Sequence, residues 1–299
     1  DKPISKNPSM LPSAFIAIEK LGNGGFNIYG GGFGHGSGIP QWSAMDLTKN
    51  KGYSYKQVLQ RYYTDTKLKN MRSVDGIGDK IRVGIMNSGF STLNHSKISM
   101  FSLGNIKIKS KDGNVNINPR TSVDFVVKDG YTQVIVQNKL RLKTRNFINI
   151  TSNKMISVTN IRRNVRNKYP TYRGEFEIRL AQGGKSLNLI NEINIEDYLL
   201  QVVPSEMPQS FGLEALKVQA IAARTYAAKD ILRNRYAKQG FHIVDSTQSQ
   251  VYNNLDENEL ASQGVKSTKG LILVHEDKPI DAKYYSTSSG FNSSAHNVW

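Results

Sequence analysis

Residues 195–226 read IEDYLLQVVPSEMPQSFGLEALKVQAIAARTY, and the strongest helix signal in the chain begins within this stretch, at Leu213. From Leu213 onward, apolar residues recur at helical spacing and share one face, namely Leu216, Ala220, Ala223, Ala227 and Ile231. Ser210 stands where an N-cap would, and Glu214 lies in the first turn, where the helix dipole favours an anion. The pattern therefore predicts a helix from Leu213 to about Tyr236.

Much of the preceding sequence favours short β-strands. Apolar and polar residues alternate with period 2 over residues 81–85, 132–136 and 175–180. Asp112-Gly113 and Asp129-Gly130 are typical of tight turns between such strands. The region from residue 81 to about 189 is therefore predicted to be mostly β.

Two further elements lie outside this β-rich region. Apolar residues at helical spacing predict a short helix from about Ser54 to Tyr63. Near the C-terminus, residues 270–274 and 280–285 are predicted to pair as a β-hairpin, with residues 277–279 in its turn.

Together these patterns predict an α+β fold in which a mostly β region is joined to a helix-centred catalytic region. Residues 70–80 are polar around Gly76 and Gly78, which is typical of a linker. The predicted organisation is a glycine-rich N-terminal segment, a linker, a β-rich region, and a helix-centred region with a hairpin, at residues 1–69, 70–80, 81–190 and 191–299.

The composition excludes several classes of protein. The chain of 299 residues has no cysteine, which rules out disulfides, Cys-ligated zinc and cysteine nucleophiles. No run of about 18 apolar residues predicts a membrane-spanning helix. The chain starts at Asp1 without a signal peptide, so we expect a processed piece of an exported protein. Exported proteins of Gram-positive bacteria often lack cysteine.

The net charge of +16 favours polyanionic partners, either nucleic acid or an anionic cell wall. Residues 160–168 form a local basic cluster, which could equally be a solvated surface that keeps the protein soluble. No nucleic-acid-binding motif accompanies the charge. The histidines are scattered, and their spacing predicts no metal site.

Glu206 is the candidate general acid. It lies between Pro204 and Pro208 on what is predicted to be a rigid connector before the long helix. Partial desolvation against Met207 and Phe211 would raise the pKa of its carboxyl, as glycosidic bond cleavage requires. The alternative is an exposed glutamate that only helps to cap the helix.

Arg224 and two polar clusters are further candidates. An arginine inside an alanine-rich helix needs a partner, so Arg224 could orient a carboxylate or contact a sugar, or form a structural salt bridge with Glu196 or Asp197. Residues 245–252 and 284–290 combine hydroxyl, amide and aromatic groups, which suit carbohydrate but also suit turns and strand ends.

Several blocks together resemble one family. The quoted stretch 195–226 closely resembles the signature of the SpoIID/LytB family. Residues 245–252 and 285–290, with Asn297-Val298-Trp299 at the end, resemble the blocks that follow it. Residues 34–44, GHGSGIPQWSA, resemble the family's Gly-His-Gly-x-Gly-x-x-Gln-x-x-Ala block, within a glycine-rich backbone that could pass close to another element.

The resemblance implies a peptidoglycan lytic transglycosylase that cuts between N-acetylmuramic acid and N-acetylglucosamine, preferably in strands stripped of stem peptides. Glu206 would protonate the glycosidic oxygen, and the muramoyl 6-hydroxyl would close on the anomeric carbon to give a 1,6-anhydro sugar. Arg224 would steady Glu206 or the substrate. The matching positions implied to bind substrate are Gln250, Tyr252, Tyr285, Ser288, Ser289, His35 and Gln41.

The resemblance also implies partners and a location. The expected partners are peptidoglycan glycan strands and a cell-wall amidase, with no nucleic acid. We expect action outside the cytoplasmic membrane, in the wall or at the cell surface, and in the septal or engulfment space if the protein is specific to sporulation. An anchor outside this chain would supply any membrane attachment. Some family members hold zinc through His and Cys; because cysteine is absent here, no cofactor is expected.

The order of the blocks departs from the family pattern. The Gly-His-Gly block normally lies near the C-terminus, whereas here it lies within residues 1–69. The chain could span the junction of two tandem copies, be circularly permuted, or be numbered out of biological order. In each case a stretch between Trp299 and Asp1 is expected to be missing, which would leave part of the substrate groove incomplete.

A rival function of a different class is a non-catalytic wall-binding protein that enhances an N-acetylmuramoyl-L-alanine amidase. Family members called amidase enhancers motivate this alternative, and the charge of +16 suits wall binding equally well.

Overall fold

The structure is a computed structural model that describes residues 15–163 and 168–293. Part of the predicted basic cluster (164–167) and the terminal residues 297–299 lie outside the described residues. The fold is α+β, as predicted, because helices and antiparallel sheets occur in both of its compact units.

The strands are β1 (Phe15–Lys20), β2 (Phe26–Gly31), β3 (Ile39–Pro40), β4 (Lys67–Asn70), β5 (Lys80–Ile85), β6 (Lys97–Ser102), β7 (Ile106–Ser110), β8 (Gly113–Ile117), β9 (Val123–Lys128), β10 (Tyr131–Val136), β11 (Lys139–Thr144), β12 (Ile148–Ser152), β13 (Ile156–Val158), β14 (Thr171–Tyr172), β15 (Glu175–Leu180), β16 (Leu187–Asn194), β17 (Ile243–Val244), β18 (Leu271–His275), β19 (Lys278–Pro279) and β20 (Tyr284–Tyr285). The α-helices are α1 (Gln41–Met45), α2 (Tyr55–Tyr62), α3 (Ile195–Glu206), α4 (Leu213–Arg233) and α5 (Glu259–Ser267).

The described chain forms two compact units. Unit 1 consists of the described parts of Asp1–Asn70, Met207–Tyr226 and Glu259–Trp299, and unit 2 of the described parts of Met71–Glu206 and Ala227–Asn258. The chain leaves each unit and returns to it, so neither unit is one continuous stretch of sequence. The four consecutive segments stay a prediction from the sequence.

Unit 2 contains two sheets among its described residues. One has the strand order β17-β5-β16-β15-β12-β7-β8, and the other has the order β11-β10-β9-β6-β13-β14. The alternating segments predicted as strands are β5, β10 and β15, and their inward positions are buried. Asp129 and Gly130 both have positive φ, 54° and 71°, which is the two-residue turn expected between β9 and β10.

Unit 1 packs helices against a short sheet. Its core joins α1, α2, the first part of α4 and β18 through buried apolar side chains that include Val58, Leu59, Val218, Ile221 and Leu273. The helix predicted near residues 54–63 is α2. Ser54 caps it with a capping box, in which its hydroxyl accepts from the Gln57 N–H and the Gln57 side chain accepts from the Ser54 N–H.

The long helix α4 differs from its prediction at both ends. It ends at Arg233 rather than near Tyr236, and the next residue, Asn234, has a φ of 46°. Ser210 is not its N-cap, because Ser210 lies in a 3₁₀ turn. Gly212 precedes the helix instead, and its carbonyl accepts the Leu216 N–H.

The predicted C-terminal hairpin is shorter than expected. β18 pairs with β19, and the turn between them is Glu276-Asp277, with φ of 47° and 60°, so Pro279 lies in the strand. β20 does not extend the hairpin, because it pairs in parallel with β3. Within the described ranges, no helix is both long and apolar enough to cross a membrane.

Candidate active site

Glu206 is the last residue of α3, a helix anchored in unit 2 by buried side chains that include Tyr198, Leu199, Val202 and Val203. The sequence predicted a rigid connector here, and in the structure Pro204 lies inside the last turn of the helix. A proline inside a helix removes one backbone donor and crowds the carbonyl four residues before it, which favours the end of the helix, and α3 ends two residues after Pro204. The fixed end of the helix therefore sets the position of the Glu206 side chain.

The Glu206 carboxylate is half-buried and takes part in a main-chain hydrogen bond. Its Oε1 accepts the N–H of Val251 at 2.7 Å. A hydrogen bond from a backbone N–H to a carboxylate is charge-assisted and shorter than a neutral one. This bond connects the end of α3 to the polar segment 245–252, which the sequence also singled out.

Ser205 makes a second connection to the same segment. Its hydroxyl donates to the carbonyl of Gln201 at 2.6 Å and accepts the N–H groups of Asn254 at 3.0 Å and Leu255 at 3.1 Å. The backbone from Val251 to Leu255 is thus held by two adjacent side chains of α3. Sequence reasoning missed this role of Ser205, although the residue lies within the quoted motif.

Asp245 fixes the start of the segment. It is completely buried, its Oδ1 accepts the N–H of Met86 at 2.8 Å, and its Oδ2 forms an ion pair with the buried Arg163. Burial raises the pKa of Asp245 to about 6, and the Arg163 guanidinium opposes that shift only in part. The pair is a structural anchor inside unit 2.

Gln250 and Tyr252, implied by the resemblance to bind substrate, have no exposed surface. The hydroxyl of Tyr198 donates to Gln250 Oε1 at 3.2 Å, and the hydroxyl of Tyr252 donates to Asn191 Oδ1 at 2.8 Å. In this structure both side chains hold the segment that carries Val251 and offer no surface to a glycan. Their role in binding substrate stays a prediction.

Arg224 belongs to unit 1, where its side chain is completely buried. Its guanidinium donates to the carbonyls of Leu271 and Val265, both at 3.2 Å, and approaches the carbonyl of Ala220 at 3.5 Å. These bonds tie α4 to β18 and to α5. Arginine suits this task because its several N–H groups form a rigid fork.

The glycine segment of unit 1 passes close to the C-terminal polar cluster, as its composition predicted. Phe33 and Thr287 exchange main-chain hydrogen bonds of 2.7 and 3.1 Å. Gly38 has a φ of 81°, and a Cβ there would overlap the carbonyl oxygen of Lys283. Only glycine fits this close approach without strain.

His35 holds the same segment in place. Its Nδ1 accepts the N–H of Ser37 at 3.2 Å, so its Nε2 carries the proton and faces the carbonyl of Tyr284, also at 3.2 Å. Burial lowers the pKa of His35, which keeps the ring neutral near pH 7. The ring also contacts that of Tyr285, with centroids 5.4 Å apart.

The remaining predicted positions lie in unit 1 as well. Gln41 donates to Gln219 Oε1 at 3.3 Å. The buried Tyr285 donates to Asn292 at 2.5 Å, the half-buried Ser288 donates to the carbonyl of Phe291 at 2.9 Å, and Ser289 is exposed. Unit 1 thus collects His35, Gln41, Arg224, Tyr285, Ser288 and Ser289, whereas unit 2 collects Glu206, Gln250 and Tyr252.

Among the described residues, no three His, Asp or Glu side chains lie together as a metal site. Unit 2 presents a carboxyl group on a fixed helix end, beside a backbone segment that buried side chains hold in place.

Comparison with known proteins finds a family match over the part of the chain that includes α3, α4 and the polar segment 245–252. The model of the family SpoIID, Stage II sporulation protein, matches residues 183–275. An uncharacterised protein of Brachyspira hyodysenteriae is 41% identical over 112 residues, covering 37% of this chain and 30% of that protein. The Stage II sporulation protein D of Bacillus subtilis is 36% identical over 126 residues, covering 37% of this chain and 36% of that protein.

A third relative carries a different name. The amidase enhancer of Bacillus subtilis is 38% identical over 98 residues, covering 33% of this chain and 13% of that protein. The chain thus spans about a third or less of each of these curated relatives. No solved structure matches the chain. The region that matches the SpoIID family model, residues 183–275, includes Glu206, Arg224 and the polar segment 245–252.

Proposed function

We propose that this protein is a peptidoglycan lytic transglycosylase that cleaves the bond between N-acetylmuramic acid and N-acetylglucosamine in denuded glycan strands. The match of residues 183–275 to the SpoIID family model and the similarity to Stage II sporulation protein D of two Bacillus species support a role in the cell wall, outside the cytoplasmic membrane. The observation that carries the proposal is the half-buried Glu206, whose Oε1 accepts the Val251 N–H at 2.7 Å at the end of a buried helix.

In the proposed reaction Glu206 acts first as acid and then as base. Since Oε1 already accepts the Val251 N–H, the transferable proton is carried on Oε2. That proton passes to the glycosidic oxygen as the anomeric C–O bond breaks, through a transition state with oxocarbenium character. The carboxylate then takes the proton of the muramoyl 6-hydroxyl, whose oxygen bonds to the anomeric carbon. The 1,6-anhydro product forms without water, Glu206 is protonated again, and the step uses no cofactor.

A rigid acid is useful here because general acid catalysis depends on placing the proton within hydrogen-bond reach of the leaving oxygen. The end of α3 and the backbone from Val251 to Leu255 are cross-linked by Glu206 and Ser205. We assign Gln250 and Tyr252 to holding that backbone, and Arg224 to the internal order of unit 1. His35, Gln41, Ser288 and Ser289 are proposed as the substrate-side surface of unit 1, and the buried Tyr285 is proposed to support it through its contact with the His35 ring.

The test is Glu206→Gln, assayed on purified denuded glycan strands. Glutamine keeps an oxygen that can accept the Val251 N–H but cannot donate a carboxyl proton, so the fold is retained while activity falls by about a hundredfold to ten-thousandfold. Glu276→Gln, at a side chain that is 85% exposed, is the matched control and should retain full activity. Wild-type activity in Glu206→Gln would refute the assignment.

A second candidate function is enhancement of a cell-wall amidase, which the match to the amidase enhancer of Bacillus subtilis favours. Under this alternative the protein stimulates amide cleavage in sacculi by a purified N-acetylmuramoyl-L-alanine amidase while releasing no glycan fragments itself. Glu206→Gln should then stimulate as well as the wild type, which separates the two functions in one assay.

A further inference from the structure

Unit 2 carries an excess of positive charge in one part of its sheets. Residues 101–150 contain nine Lys or Arg and three Asp or Glu, a net charge of +6 within a chain of +16. Strand β7 shows how this charge is displayed. Ile106 and Ile108 are buried, whereas Lys107 and Lys109 are exposed on the outer face, because side chains alternate along a strand.

The neighbours of these lysines on the outer face are neutral. β8 and β12 flank β7, and the residues paired with Lys107 and Lys109 are amides and a hydroxyl, namely Asn114, Asn116, Asn149 and Thr151. No carboxylate occupies a cross-strand position beside either lysine. The positive charge of β7 is therefore not neutralised by its flanking strands.

A shallow cavity of about 330 Å³ opens on the same face. Asn105, Lys107, Thr151, Ser152 and Asn153 line it. Its walls thus offer one ammonium group, two amides and two hydroxyls, which together can bind both an anion and the hydroxyl groups of a polyol. No aromatic ring lines the cavity, so it lacks the stacking surface that single-stranded nucleic acid uses.

A second row of cations lies on β11, the edge strand of the other sheet of unit 2. Lys139, Arg141 and Lys143 of β11 are exposed, whereas Leu142 is buried. The end of β11 meets the turn between β7 and β8, where the hydroxyls of Ser110 and Thr144 are 3.1 Å apart. None of these five cations forms an ion pair with another described residue.

We propose that this surface, formed by Lys107, Lys109, the lined cavity and the cations of β11, binds a phosphodiester-linked polyol polymer of the cell wall. Lysines two apart on a strand place their charges about 6.6 Å apart, so a linear polyanion can contact both. Lysine ammonium groups bind phosphate as compact point charges, and the amides and hydroxyls suit the polyol. The inference rests on the proposed function only for the location at the wall.

The test compares binding of the purified protein to intact cell walls and to walls from which the phosphate polymer has been removed by acid. We expect Lys107→Gln/Lys109→Gln to bind intact walls on the order of tenfold more weakly at 0.1 M salt, with a shallower salt dependence. The matched control removes two exposed lysines of unit 1, as Lys266→Gln/Lys269→Gln, and should bind like the wild type.

Unchanged binding by Lys107→Gln/Lys109→Gln, equal binding of the wild type to stripped walls, or displacement from intact walls by duplex DNA at equal phosphate concentration would each overturn the proposal. Both variants should still cleave phosphate-free glycan strands at the wild-type rate. Because binding and cleavage are measured separately, a protein that binds but does not cleave would refute the proposed function and leave this surface standing.

Discussion

Glu206 and Arg224 are both charged residues that the sequence singles out in one helical motif, yet they occupy opposite environments. Glu206 lies half-buried at the end of α3, with one oxygen bound to the Val251 N–H. Arg224 lies completely buried within α4, with its guanidinium bound to the carbonyls of Leu271 and Val265. The difference supports our proposal that one motif carries two tasks, acid catalysis at Glu206 and the ordering of unit 1 at Arg224.

Arg224→Met tests whether Arg224 stabilises the fold, and we expect it to have the largest effect on stability. This change leaves the carbonyls of Leu271 and Val265 without their buried donor, and we expect it to lower the free energy of unfolding by about 3–5 kcal/mol. Chemical denaturation of the purified variant measures this loss. If Arg224→Met were as stable as the wild type but inactive, Arg224 would be a catalytic residue, and the comparison would fail.

Gly38→Ala tests whether the glycine block of unit 1 also acts through structure. A methyl group at Gly38 would meet the carbonyl of Lys283 in a left-handed backbone conformation, and we expect a loss of about 3 kcal/mol. Gly52→Ala is the matched control, because Gly52 has a φ of 70° but open space around it; its loss should be about 1 kcal/mol. Thermal unfolding of both variants should show this difference, and equal losses would refute the close approach.

Ser205→Ala probes the second connection to the segment beside Glu206. Removing the hydroxyl leaves the N–H groups of Asn254 and Leu255 without their acceptor, which should cost about 1–2 kcal/mol and loosen the backbone that contacts Glu206. Ser205→Thr keeps the hydroxyl and should restore most of both stability and activity. Amide hydrogen exchange at Asn254 and Leu255 provides the readout, and unchanged protection in Ser205→Ala would contradict this role.

Much of the fold could be predicted because its signals are local. The alternation in β5, β10 and β15 and the apolar face of α4 are visible in short windows of sequence. The predictions were wrong where the pairing of segments far apart in the sequence determines the structure. β20 pairs with β3 rather than extending the hairpin of β18, and no local pattern indicates that choice.

In the candidate site too, features with a local sequence signal could be predicted, whereas contacts between distant residues could not. Glu206 could be identified from its motif, but its partner is the backbone N–H of a residue 45 positions away, and a main-chain group carries no residue-type signal. Gln250 and Tyr252 have side chains that suit sugars, and only their complete burial indicates that they position the segment. Burial depends on the packing of β16 and α3, which the residue type does not reveal.

The central claim is that Glu206 catalyses an intramolecular transfer, and its most direct test is the product formed from denuded glycan strands in isotopically labelled water. The wild type should release fragments with 1,6-anhydromuramic ends, one water lighter than hydrolysis products and free of the label, whereas Glu206→Gln should release almost none. Reducing ends that carry the label, or anhydro products from Glu206→Gln at the wild-type rate, would contradict the claim.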